Sequence, residues 1–118
     1  MSPEDAITAL SALAHPARLH VFRLLVRAGP RGLAAGRIAQ ETGSLPNTLS
    51  TNLNILAAAG LVRSRREGRS VIYVAGYDRM SDLLAYLMED CCGGDRSICG
   101  PLVDVAGRGG CLPAEADC

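Results

Sequence analysis

The sequence predicts a mainly α-helical fold broken once by a β-hairpin. Three observations carry that expectation. Apolar residues recur at helical spacing over five separate stretches. Gly and Pro punctuate the ends of those stretches. One β-branched segment, residues 61–75, alternates with period two around a Gly turn. With 118 residues, one Phe, three Tyr and no Trp, the chain can build one modest core from Leu, Ile, Val and Ala, and a second copy would help so small a core.

Residues 4–13 carry Ile7, Leu10 and Leu13 at spacing three, the pattern of a first helix. Pro16 opens a second helix, where its missing N–H costs little. Its apolar set is Leu19, Phe22, Leu25 and Val26, and Gly29-Pro30 ends it. A short helix follows from about Ala34 to Thr42, with Ile38 and Ala39 inward and Gly43 as its stop. Ser44 is placed to cap the next helix, which has Pro46 in its first turn, packs Leu49, Leu53 and Leu56, and ends at Gly60. Two short helices joined by a tight turn containing Gly form a helix-turn-helix unit.

Leu61–Arg66 and Ser70–Ala75 flank Glu67-Gly68-Arg69 as the two strands of a hairpin, with Val71 and Tyr73 on one face and Ile72 and Val74 on the other. A hairpin directly after that unit is a wing, so the expected fold is a winged helix-turn-helix. The last helix runs from about Asp78 to Asp90. Its stripe of Met80, Leu83, Leu84, Leu87 and Met88 needs cover from the core or from a second subunit. Residues 1–95 then form one domain, and residues 96–118, rich in Gly, Pro, Ala and acids without periodicity, a flexible tail that contains cysteines.

The net charge of zero hides an asymmetry. Residues 1–69 hold nine Arg against four acids, a net +5, whereas residues 70–118 hold three Arg against eight acids, a net −5. A cationic front half points to a polyanionic partner. On the helix after Gly43, placing Leu49 and Leu53 inward turns Asn47, Ser50, Thr51 and Asn54 outward, with Thr48 beside them. Asn pairs with adenine through two hydrogen bonds, and hydroxyls bond bases or phosphates, so this uncharged polar face suits a DNA groove. In the hairpin, Arg63, Arg65, Arg66 and Arg69 cluster against Glu67 alone, and Arg65, Arg66 and Arg69 are the candidates for phosphate contact. The expected partner is double-stranded operator DNA. A small thiol enzyme is disfavoured, because no Cys–His pairing at useful spacing exists.

Several stretches resemble the ArsR/SmtB family of winged-helix repressors. They are Leu13-Ala14-His15-Pro16-Ala17-Arg18-Leu19, the run from Leu49 to Leu56 followed by Ala59-Gly60-Leu61-Val62, and the wing from Arg65 to Tyr73. The resemblance covers roughly residues 7–92, and Asn52 departs from it, standing where many members have His. It implies a homodimer built on the first and last helices that represses its own resistance operon until an ion binds.

All five cysteines lie after residue 90. Cys91, Cys92 and Cys99 are close enough in sequence to gather around one thiophilic ion once Gly93-Gly94 ends the helix. Three thiolates suit As(III), with Sb(III) as a second candidate, better than zinc, which closes a site with four ligands. The run also resembles the carboxy-terminal Cys-Cys…Cys site of an arsenic-responsive subgroup. Other sensor sites of the family find no match: residues 33–43 contain no Cys, Asp78 and Asp82 have no His near them in sequence, and no early Cys exists for a redox pair. A thiol-redox or Cd(II)/Zn(II) response on the same fold is the alternative. Cys111 and Cys118 read as spare, His15 and His20 as structural. No organic cofactor is expected. With no signal peptide and no apolar run long enough to span a bilayer, the expected location is the cytoplasm.

Overall fold

The computed structural model describes residues 1–89. Helix α1 spans Pro3–Leu13. The Ser2 hydroxyl accepts from the Asp5 amide at 3.1 Å and the Asp5 carboxylate from the Ser2 amide at 3.3 Å, a reciprocal capping box. The Ser2 amide first, and then the Ser2 hydroxyl beside it, hold the Asp5 carboxyl below the usual carboxylate range. The buried face of α1 is Ala6, Ala9 and Ala12, while Ile7 and Leu10 remain 62% and 43% exposed. Of the large aliphatics expected to face the core, only Leu13 packs partly against it; Ile7 and Leu10 do not. Three methyl groups let the α1 backbone approach α2 and α4 closely, and the bulky side chains occupy the neighbouring, outward face.

Helix α2 spans Pro16–Ala28, with Pro16 at its first position. His15 caps it, its Nδ1 accepting from the Ala17 amide at 3.2 Å. Arg18 Nε donates to the Ala12 carbonyl at 2.7 Å and so closes the end of α1. Val21, Phe22 and Leu25 enter the core, and Leu19, expected among them, is exposed. A 3₁₀ turn, Gly29–Arg31, leads to a two-residue strand, β1, Leu33–Ala34. Leu33 pairs with Tyr73 and Ala34 with Ile72. The sequence does not predict β1, because two residues carry no periodicity. Gly32 sits at φ 69°, and any Cβ there would meet the Tyr73 carbonyl oxygen at 2.5 Å, so this crossing onto the sheet needs Gly.

Helix α3 is Ala35–Thr42 and α4 is Pro46–Ala58. Gly43 ends α3 in the left-handed region, as expected. The expected cap at Ser44 is not made. Leu45 is the capping residue of α4, with no side-chain hydrogen bond. The Thr42 hydroxyl donates to the Ile38 carbonyl at 2.8 Å, so Ser44, 2.7 Å away, must donate to Thr42. The expected cap fails because the helix begins at Pro46, which puts Leu45 and not Ser44 in the capping position.

Strands β2, Val62–Glu67, and β3, Ser70–Ala75, form the antiparallel wing, and the sheet order is β1-β3-β2. Helix α5, Tyr77–Met88, begins one residue before the expected start and ends two before the expected stop. It presents Leu83 to the core, with Tyr77, Met80 and Tyr86 packed partly against it. Leu84, Leu87 and Met88 stay 50%, 52% and 41% exposed. The Tyr77 hydroxyl donates to the Val26 carbonyl at 3.2 Å, and burial pushes its pKa up. The core of Leu25, Ile38, Leu53, Leu56 and Leu61 lies where α2, α3 and α4 meet the base of the wing. Among the described residues no helix is long and apolar enough to cross a membrane. The expected boundary between residues 95 and 96 lies outside the described residues.

Candidate nucleic-acid interface

The second helix of the helix-turn-helix, α4, divides cleanly. Leu49, Asn52, Leu53 and Leu56 are buried, and Asn47, Thr48, Ser50, Thr51 and Asn54 are all exposed. This follows from 3.6 residues per turn, which stacks 49, 53 and 56 inward and 47, 51 and 54 outward. No charged side chain lies anywhere on α4. The Thr51 hydroxyl donates to the Asn47 carbonyl at 3.1 Å, so its lone pairs face outward as acceptors. Asn47 and Asn54 carry amides that can donate and accept at once. The face is thus a mixed donor–acceptor strip of the kind that reads base edges. Asn52, where the sequence departs from the resemblance, is only 5% exposed and lies on the inner side of the helix.

The wing is held in register from Val62↔Ala75 to Glu67↔Ser70. Gly68, at φ 61°, makes the two-residue turn. Arg63 to Glu67 are exposed throughout. Arg63, Arg65 and Glu67 share one face of β2, and Ser64 and Arg66 the other. The four arginines are not equivalent. Arg63 is ion-paired with Asp78 at the start of α5. Arg65 donates from Nη1 to the Pro30 carbonyl at 2.9 Å and from Nη2 to the Arg31 carbonyl at 2.8 Å. Its Nε also donates to Glu67 at 3.0 Å. Arg65 therefore ties β2 to the turn before β1, a task the sequence does not reveal because its partners lie about 35 residues away. Arg66 and Arg69 make no ion pair among the described residues and present their charge to solvent.

Cys91, Cys92 and Cys99 lie outside the described residues, as do Cys111 and Cys118. Among the described residues no three His, Cys, Asp or Glu side chains come together. Asp78 is engaged by Arg63, and His15 by the α2 cap. An open groove of about 420 Å³ runs along the contact of α1 with α4, lined by Ile7, Thr8, Ser11, Ala12, Arg18, Ile55, Ala58 and Ala59.

A helix-turn-helix domain family matches residues 13–65. An uncharacterised HTH-type transcriptional regulator of Mycobacterium tuberculosis is 36% identical over 74 residues, covering 62% of this chain and 62% of the relative. The match thus spans less than two thirds of that relative. The nodulation protein NolR of Rhizobium meliloti is 35% identical over 89 residues, covering 73% of this chain and 70% of that protein. Among solved structures, a homodimeric winged helix-turn-helix DNA-binding domain from Mycobacterium bovis, described as a possible ArsR-family transcriptional regulator, superposes with a TM-score of 0.60. It is 32% identical and covers 74% of this chain and 81% of its own.

Proposed function

The chain belongs to the transcriptional regulators of the ArsR winged helix-turn-helix type, and on that footing we propose that it is an arsenite-responsive repressor which binds operator DNA as a homodimer. The observation that carries DNA reading is the uncharged amide and hydroxyl face of α4, flanked by a wing whose Arg66 and Arg69 are exposed and unpaired among the described residues. Asn47, Ser50, Thr51 and Asn54 contact bases, while Thr48, Arg66 and Arg69 hold the backbone. Arg65 serves the same contact mainly by positioning the wing.

Exposed Ile7 and Leu10 on α1 and exposed Leu84 on α5 support the homodimer. The groove beside Ile7 offers a partner's side chains a place to insert. A two-fold dimer presents two recognition helices to successive major grooves. The Mycobacterium bovis domain is itself a homodimer.

The inducer is As(III), with Sb(III) as its congener, bound by Cys91, Cys92 and Cys99. The support is chemical: three soft thiolates satisfy a trivalent ion that keeps its lone pair outward, whereas Zn(II) seeks a fourth ligand. Binding requires thiol deprotonation, so inducer affinity falls as pH falls below the thiol pKa values. If the ion disfavours the DNA-bound dimer, DNA weakens ion binding by the same factor.

The test is a mobility shift on the chain's own upstream promoter, under reducing conditions, with As(III), Sb(III), Cd(II), Zn(II) and peroxide. Arsenite is expected to release the DNA, and Cys91→Ser, Cys92→Ser and Cys99→Ser each to keep DNA binding but lose release. Release by peroxide alone would establish the thiol-redox reading. Release by zinc where arsenite has no effect would replace the three-thiolate site with a Zn(II) or Cd(II) site.

A further inference from the structure

Leu45 breaks two local rules at once. It occupies the capping position of α4, φ −70° and ψ 145°, where Ser, Thr, Asp or Asn would satisfy an orphan amide of the first turn. It is also 73% exposed, more than any other large aliphatic side chain among the described residues. A structural account is available in principle: an apolar residue just before a helix can staple against the fourth helical residue. That geometry needs the residue before the cap, which is Ser44, packed on Leu49. Leu45 is one position too late, and most of its surface is open to solvent. Ser44 does not cap either, because it lies one residue before the capping position that the helix start at Pro46 sets. The sequence thus gives up a cap and exposes a leucine at one point, and local rules are broken without compensation chiefly at functional positions.

The position says which function. Leu45 begins the helix whose outer face carries Asn47, Thr48 and Ser50, and the N-terminal residues of a recognition helix are those nearest the base edges. The apolar feature of the major groove is the 5-methyl group of thymine. We propose that Leu45 is a specificity-determining residue that packs on the 5-methyl of a thymine in each half-site, adding an apolar contact to the polar reading by Asn47 and Ser50. This rests on the DNA-reading role of α4 proposed above.

The experiment selects bound sequences from randomised duplexes with the full-length protein, then replaces each thymine of the selected site by deoxyuridine, which removes only the methyl. Wild type is expected to lose about fourfold in affinity at one thymine per half-site, the worth of one methyl group taken out of water. Leu45→Ala and Leu45→Ser are expected to bind the two versions equally, with an unchanged salt slope. Leu45→Ser restores a capping hydroxyl and is expected to melt no lower than wild type, which separates base reading from any structural role. The proposal is overturned if wild type is indifferent to every such replacement, or if both variants keep the wild-type discrimination. If no sequence is selected at all, the DNA-reading role falls as well, an outcome distinct from a selected site in which no methyl matters.

Discussion

Replacing Arg65 by alanine separates two roles that the wing arginines share on paper. Its guanidinium donates to two backbone carbonyls, at 2.9 and 2.8 Å, and to Glu67 at 3.0 Å. A charged donor to a neutral acceptor contributes about 1.5–3 kcal/mol when shielded. The Arg65 side chain is 41% exposed, so water competes and each carbonyl bond counts for roughly half of that. The Glu67 pair, also exposed, adds between about 0 and 1 kcal/mol. Arg65→Ala should therefore destabilise the fold by about 2 kcal/mol, a fall in Tm of roughly 10 °C at fixed protein concentration. Arg69 has no such bonds, and Arg69→Ala should stay within about 0.5 kcal/mol of wild type. The salt dependence of DNA affinity should divide the other way. Arg69→Ala should reduce the slope by about 0.9 per subunit, the signature of one lost phosphate contact, and Arg65→Ala by less. Arg65→Lys keeps the charge but loses the planar fork that reaches both carbonyls and Glu67 at once, so it should lose stability while holding the slope. Thermal melts and affinities over a salt series read both quantities. An Arg65→Ala protein that melts like wild type, with a slope reduced as far as that of Arg69→Ala, would refute the anchoring role.

Four other outcomes follow from the same structure. Gly76→Ala places a Cβ against the Gly60 carbonyl oxygen and 3.2 Å from the Leu61 carbonyl carbon, and should cost about 2–3 kcal/mol by urea denaturation. Gly43→Ala, at φ 68° with open space around it, should cost only about 1 kcal/mol, the penalty of the left-handed backbone alone. Because the folded-state pKa of Asp5 is lowered, its contribution to stability is present above the ordinary carboxylate range and is lost as pH falls through the folded value; Asp5→Asn should flatten that acid limb in denaturation measured through the acid range. Ile7→Asp, at an exposed position of α1, should leave the circular dichroism spectrum unchanged but weaken dimerisation at least about tenfold by sedimentation.

The elements with strong punctuation were legible in the sequence. Pro16, Gly43, Pro46 and Gly68 mark boundaries that the structure keeps, and Leu49, Leu53 and Leu56 lie inward as their spacing requires. Periodicity misled where residue size and geometry disagree: in α1 the larger side chains suggest one face while three alanines form the buried one. Two short features escaped. Strand β1 has too few residues to show a pattern, and its partner is supplied by β3, far along the chain. The cap falls on Leu45 and not Ser44 because the helical backbone begins at Pro46, a one-residue difference in helix start that spacing does not resolve. Within the candidate site, the polar face of α4 was readable from the helical wheel, whereas the division of labour among Arg63, Arg65, Arg66 and Arg69 was not. That division is set by Asp78 and by two backbone carbonyls, none of them adjacent in sequence.

The alanine face of α1 has a consequence for how such a regulator diversifies. Because α1 meets its own core through Ala6, Ala9, Ala12 and, at its end, Leu13, the core makes little demand on the size or shape of the side chains at positions 7 and 10. Substitutions there change which surface is complementary to which without opening a cavity beneath. If the proposed dimer forms through this face, a cell that carries several regulators of this architecture can keep their subunits from mixing by altering those positions, while each copy retains the same interior and the same α4.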